Sequence, residues 1–238
     1  LKKIFSKYKN SYSLSIGQLG KSISILKKND CKNIIFAGKI SRPNFSKTKF
    51  DFKALYYLPS IIKAAKKGDA FIIKIIIKIF KKHGFKIINS MFFNKELILK
   101  KGNYTKTKPN DRNKKDILKG KIIVTDLKEH NVGQAVVIRG GYVIAIEGQN
   151  GTDEMLKRAN LLIKRVTTKN KRDGVLLKFP KQNQDLRVDL PTIGIKTINK
   201  CVKIGLKGIA VKANRNIFLD NKKCIYLANK NKMFISAI

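Results

Sequence analysis

Two runs rich in β-branched residues, Ala135 to Arg139 and Tyr142 to Ile146, flank the pair Gly140-Gly141. A two-residue hairpin turn needs positive φ at both central residues, so the glycine pair predicts a β-hairpin. That turn sets Arg139 opposite Tyr142, Ala135 opposite Ile146 and Gln134 opposite Glu147. Gln134 and Glu147 are then cross-strand neighbours at the open end, with Cβ atoms about 5 Å apart. Gly148 and Gly151 flank the next loop, and Thr152 is an expected N-cap for a helix from Asp153 to about Val166. Gln134, Glu147, Thr152 and Asp153 are therefore expected to converge. The pattern fits a well-built hairpin with a capped helix, and it fits a binding site equally.

Elsewhere the pattern alternates. A helix is expected around Lys21 to Lys28, then a buried strand from Asn33 to Ala37 that Gly38 ends. The polar loop Ser41-Arg42-Pro43 follows, and open α/β sheets place ligands just beyond such strand ends. Helices from about Tyr56 to Lys66 and from Ala70 to Lys82, then a short strand from Lys86 to Asn89, complete a βαβ signature with a parallel sheet. Residues 100–116 are polar and read as a linker or solvated loop, with a domain boundary near residue 105. After it come a helix from Lys115 to His130, the hairpin and its helix, a strand from Val175 to Phe179, and a helix from Ile195 to Ile204 stopped by Gly205. Strands are expected at Gly208 to Lys212, Ile217 to Asp220 and Met233 to Ala237. The expected fold class is α/β in two domains, 1–105 and 106–238. The longest apolar stretch, Ala70 to Phe80, is broken by Lys74 and Lys78 and is too short to span a bilayer.

Charge alone points to anionic partners. There are 53 Lys+Arg against 15 Asp+Glu, a net charge of +38. Yet 45 of the basic residues are Lys and only 8 are Arg, whereas readers of nucleic acid favour the bidentate Arg. Lys, Asn and Ile are inflated together, which reads as compositional drift on exposed positions and not as a specific nucleic-acid surface. Cys31, Cys201 and Cys224 form no metal-binding spacing, and His83 and His130 are the only histidines. A zinc enzyme and a disulfide framework are both excluded on that count.

Three longer stretches carry a resemblance. They are GQAVVIRGGYVIAIEGQNGTDEML from Gly133, VLLKFPKQNQDLRVDLPTIG from Val175, and GLKGIAV from Gly205. With Ile16 to Lys21, Phe36 to Gly38, Ser41 to Pro43 and Lys67 to Asp69, they resemble the LpxI-type UDP-2,3-diacylglucosamine pyrophosphatases, which serve lipid A biosynthesis in Gram-negative bacteria. The match covers nearly the whole chain. It implies an incomplete Rossmann-like parallel-sheet N-terminal domain, a mixed α/β C-terminal domain, and a ligand cleft between them. Family members begin with a strand and a glycine-rich turn, so the resemblance implies that this chain starts inside the first domain.

The resemblance also implies a reaction. Water attacks the α-phosphorus of UDP-2,3-diacylglucosamine and yields UMP and the diacylglucosamine 1-phosphate called lipid X, with Mg²⁺ or Mn²⁺ required. Asp189, in Arg187-Val188-Asp189-Leu190-Pro191, matches the family's catalytic aspartate, as a metal ligand or a water-orienting group. Read from the residues alone, it could instead cap the helix that follows. Asp153 and Glu147 are further metal candidates, since Mg²⁺ takes one or two carboxylates plus substrate phosphate. Thr152 and Gln134 suit phosphate or sugar, Lys178 and Arg187 suit diphosphate charge, and Gly38, Ser41 and Arg42 are expected to face the cleft. The implied setting is cytoplasmic, peripheral to the inner membrane, and it leaves a homodimer open.

A binder of nucleotide sugars without catalysis would keep Gln134 and Thr152 and have no use for Asp189. A nucleic-acid binder would instead lose DNA affinity by roughly a thousandfold between 50 and 200 mM salt. The expectation here is that the lysines spread over all faces and that a DNA titration shows only weak, non-specific binding.

Overall fold

The computed structural model describes residues 5, 7–38, 45–129, 132–166, 172–181 and 184–238. The chain divides into two compact units, Leu1–Ser90 and Met91–Ile238.

The first unit holds helix α1 (Leu19–Lys28), strand β1 (Asn33–Ile34), helices α2 (Phe52–Lys67) and α3 (Asp69–Lys82), and strand β2 (Lys86–Ile87). β1 and β2 pair in parallel, as a βαβ pattern requires. The strand expected over 33–37 forms ladder bonds over two residues only. Asp51 starts α2: its Oδ1 accepts from Ala54 N at 2.9 Å, and its Oδ2 accepts from Lys21 N at 3.0 Å in the first turn of α1. One carboxylate thus serves the N-termini of two helices.

The second unit is a three-layer sandwich. Its six-stranded sheet has the order β3-β10-β8-β6-β4-β5, built from β3 (Gly102–Asn103), β4 (Ala135–Arg139), β5 (Tyr142–Ile146), β6 (Val175–Lys178), β8 (Gly208–Val211) and β10 (Phe234–Ala237). β6, β8 and β10 run parallel; β4 is antiparallel to β6, and β3 to β10. Helix α4 (Asp111–Glu129) covers one face, with Ile117 and Val124 packed on Val136, Ile138, Val175 and Leu177. Helices α5 (Gly151–Val166), α6 (Ile195–Lys203) and α7 (Asn221–Lys230) cover the other through Met155, Leu156, Ile198, Cys201, Cys224 and Ala228. With both faces covered, the strands must be apolar throughout, and β6, β8 and β10 are buried at every position. A separate parallel pair, β7 (Thr192–Ile193) with β9 (Ile217–Phe218), lies beyond this sheet.

The stretch expected as a linker belongs to this unit. Gly102-Asn103 adds an edge strand to β10, and α4 begins at Asp111. Asn110 and Asn113 exchange side-chain caps: each backbone N–H donates to the other's Oδ1, at 3.3 and 2.9 Å. A capping box made of asparagines explains why a search for apolar periodicity starts this helix several residues late. Helix α7 escaped the sequence reading because its buried positions are only Cys224 and Ala228.

The Gly140-Gly141 turn forms as expected, with φ of +57° and +82°. Its holder is Asp116, 1% exposed on α4. Oδ2 accepts from Gly140 N at 3.0 Å and Oδ1 from Gly141 N at 2.7 Å. Lys119 Nζ donates to Gly141 O at 2.6 Å.

The register departs from expectation. Arg139 faces Tyr142 and Ile138 faces Val143, but Val137 faces Ala145 and Val136 faces Ile146. Ile144 is therefore the extra residue of a β-bulge. The next ladder bond is Glu147 N to Ala135 O at 2.9 Å, so Glu147 stands opposite Ala135 and not Gln134. A shift of one residue moves a side chain to the other face, and the expected Gln134–Glu147 pair does not form.

Asp116 carries the first prediction. Replacing Asp116 with Ala leaves two turn N–H groups without a charged acceptor and should destabilise the protein by about 3 kcal/mol. Asp116→Asn keeps the shape but turns one acceptor into a donor aimed at an N–H, so its cost should be nearly as large. Urea unfolding of the three proteins checks both values.

Candidate active site

The polar residues gather where the parallel strands end. Lys178 is the last residue of β6, paired with Ala135 on one side and Val211 on the other. Glu147 stands beyond Ala135. At this level the face that carries α5 to α7 thus reads Glu147, Ala135, Lys178, Val211. A small alanine separates a buried carboxylate from a buried ammonium.

Lys178 is 8% exposed and Glu147 is 5% exposed. Burial lowers the Lys178 pKa, because an ammonium loses its water; Glu147, Asp153 and Asp189 act the other way and favour the charged form. Three carboxylates from three elements therefore favour the charge of one cation. Lys178 Nζ donates to Thr192 O at 3.2 Å. Buried Asn216 fixes the strand end, donating from Nδ2 to Lys178 O at 2.9 Å and accepting from Lys212 N at 3.0 Å.

Each carboxylate has its own setting. Glu147 Oε2 accepts from Thr152 Oγ1 at 3.3 Å. Thr152 was expected as an N-cap, but α5 begins at Gly151, so its hydroxyl lies in the first turn and serves Glu147 instead. Asp153 is exposed and pairs with Lys200 of α6, Oδ1 to Nζ at 2.7 Å. Asp189 is half-buried, and its backbone N–H closes a turn onto Asp185 O at 2.9 Å. Just beyond it the chain is anchored. Pro191 O accepts from Ile217 N at 2.9 Å, and Ile193 is fully buried. Asp189 thus sits between a tight turn and a strand, with Pro191 restricting Leu190.

Other expected residues fall differently. Gln134 does not meet Glu147; its Oε1 accepts from Gln184 Nε2 at 3.2 Å. Arg187 is committed to Asp185, with Nε on Oδ1 at 2.9 Å and Nη2 on Oδ2, and this pairing raises its pKa. Of its side-chain nitrogens, Nη1 has no partner among the described residues, so diphosphate charge would meet a largely neutralised group. Gly38 adopts φ +103° in the first unit, a value that L side chains rarely adopt. Ser41 and Arg42 lie outside the described residues.

One contributor escaped the sequence reading. Gln184 bridges Gln134 and Asp189, and nothing in a polar loop marks one glutamine above another. Lys178 was expected to meet diphosphate charge, and its place at the end of an apolar strand, Val175-Leu-Leu-Lys178, is the signal that sets it apart among 45 lysines. Among the described residues it is the one buried lysine.

The acidic side chains offer only oxygen donors, a set that suits a hard cation such as Mg²⁺ or Mn²⁺. Among the described residues no three acidic, histidine or cysteine side chains converge closely enough to hold an ion alone. One or two carboxylates completed by substrate phosphate is the arrangement compatible with that spacing.

Comparison with known proteins bears on the whole chain. A family model described as the LpxI N-terminal domain matches residues 1–97, and one described as the LpxI C-terminal domain matches residues 100–236. A relative from Caulobacter vibrioides, named UDP-2,3-diacylglucosamine pyrophosphatase LpxI, is 36% identical over 226 residues, which cover 94% of this chain and 81% of that protein.

A titration tests the electrostatics. The folded chain holds the Lys178 proton less tightly than the unfolded chain does, so this residue's contribution favours folding increasingly as pH rises through its lowered value toward 10.5. Glu147→Gln removes the largest favourable charge and should lower the Lys178 pKa further. The gain in stability should then begin at lower pH. NMR of the lysine ε-carbons, followed as a pH series in both proteins, reads the shift directly; an unchanged or raised value would separate Glu147 from Lys178.

Proposed function

The chain belongs to the LpxI family, and from that premise we propose that it hydrolyses the diphosphate of UDP-2,3-diacylglucosamine, releasing UMP and lipid X by water attack at the α-phosphorus. The observation that carries this reading is a polar site at the carboxyl ends of parallel strands, where buried Lys178 and Glu147 flank Ala135 and where Gln184 joins Asp189 to Gln134. Ligands of open α/β sheets bind at that edge.

Hydrolysis of a phosphoric anhydride needs neutralised phosphoryl charge, a positioned water and a leaving group held in line. Asp189 is the group we assign to the water: it is half-buried, on a turn stiffened by Pro191, and oriented through Gln184. As a general base it would take the proton of the attacking water as the bond to phosphorus forms. Thr152 and Gln134 are assigned to phosphate and sugar contacts. Asp189, with Asp153 or Glu147, would hold Mg²⁺ or Mn²⁺. Bound there, the cation supplies positive charge to the phosphoryl oxygens. Lys178 is less a phosphate ligand than an internal counter-ion, since its Nζ lies buried against Thr192 O.

A diacylated substrate resides at a membrane surface, so we place the encounter at the inner-membrane face, peripherally. No helix among the described residues is long and apolar enough to cross a membrane.

Asp189→Ala is the test. Turnover, followed as UMP release from UDP-2,3-diacylglucosamine with Mn²⁺ or Mg²⁺, should fall by about 100- to 10,000-fold. Substrate affinity should change far less, because the interaction is made mainly in the transition state. A half-buried turn carboxylate has little packing to lose, so stability should change by about 0.5 kcal/mol. Undiminished turnover would remove Asp189 from the chemistry. Loss of turnover together with loss of cooperative melting would make it a structural cap.

A further inference from the structure

One side chain in the loop after β6 touches both halves of this site. Gln184 Nε2 donates to Asp189 Oδ2 at 3.1 Å and to Gln134 Oε1 at 3.2 Å. Gln184 Oε1 accepts from Lys181 N at 2.8 Å. A backbone N–H can only donate, so the amide oxygen must face Lys181 and the NH₂ group must face the other two. The carboxamide therefore has a single orientation, with both of its protons engaged.

That orientation propagates. Gln134 has to present its oxygen to Gln184, which turns its own NH₂ outward; this group has no partner among the described residues. Gln134 is in turn fixed to the sheet, because its backbone oxygen accepts from Phe179 N at 2.9 Å. The chain of contacts runs from the sheet through Gln134 and Gln184 to the carboxylate of Asp189. It links a strand start and a loop that are fifty residues apart in sequence.

We propose that Gln184 is the positioning residue of this site: its one amide aims the Asp189 carboxylate and, at the same time, turns the Gln134 NH₂ toward substrate. The inference rests on the reading of Asp189 given above. It assigns Gln184 no contact with the reacting atoms. Partners that orient a reactive or ligating carboxylate are commonly worth 10- to 100-fold when removed.

Gln184→Met keeps the volume and deletes all three hydrogen bonds. Against UDP-2,3-diacylglucosamine, kcat should fall by about 10- to 100-fold while KM changes by less than about threefold. A loop merely loosened would instead raise KM and lower the melting temperature together. Gln134→Met breaks the same chain from its other end and keeps the proposal testable if Gln184→Met folds poorly; it should lower kcat and also raise KM, since it removes the outward NH₂. Side-chain amide NMR gives a readout independent of turnover. In the parent, the Gln184 NH₂ protons should exchange slowly with water and those of Gln134 quickly; Asp189→Ala should speed exchange at Gln184. Parent-like kcat in Gln184→Met, or fast exchange at Gln184 in the parent, overturns the proposal. Absence of turnover in the parent protein would count against the reading of the site, whereas turnover indifferent to Gln184 counts against Gln184 alone.

Discussion

Everything at the polar edge of the second unit answers to one constraint: an ammonium has been taken out of water. A sheet covered by helices on both faces has no room for charge along its strands, and β6 ends at the first place where charge is tolerable. Lys178 occupies that place. A lone buried cation would lose its proton, so its surroundings must supply negative charge, and Glu147, Asp153 and Asp189 favour its charged form. The small Ala135 between Glu147 and Lys178, the carbonyl of Thr192 and the amide of Asn216 complete the setting. None of these groups is held by the others alone. The sheet holds Glu147, Ala135 and Lys178 at a common level.

Most elements were legible in the chain because their causes are local. The glycine pair dictates a hairpin turn, and it forms with both φ values positive. Apolar runs such as Gly208–Val211 become buried parallel strands. What escaped was decided at a distance. No residue near Ile144 announces a bulge, yet the bulge decides which face receives Glu147. The polar stretch around residue 103 gave no strand pattern, since two residues added to an existing edge need none of their own. In the site, Asp189 stood out through its match to a family motif and not through spacing. Lys178 was named for diphosphate charge, but among so many lysines only burial shows it as an internal cation.

The charge looks different once burial is known. A net charge of +38 invites a search for polyanions. Among the described residues, however, the lysines are exposed or half-buried, with Lys178 the exception. Water screens the exposed lysines, whereas the buried one must have its charge matched. Two carboxylates are buried among the described residues, Asp116 and Glu147. Asp116 is enclosed with the hairpin turn and Glu147 with the sheet end, each serving a backbone or a cation there.

The strand order has a consequence for biosynthesis. β3 pairs only with β10, so Asn103 stays without a strand partner until Ser236 arrives. During translation the polypeptide between them leaves the ribosome while the edge of β8 that β10 will cover is still open. Contacts of such long sequence separation form slowly, and an uncovered apolar edge is a place where nascent chains adhere to one another. Thr105, whose hydroxyl receives the backbone N–H of Ile235, can engage only at this late stage. A ribosome that stalls shortly before Phe234 would thus release a polypeptide with most of its helices made and its sheet unsealed, the form that chaperones and proteases recognise.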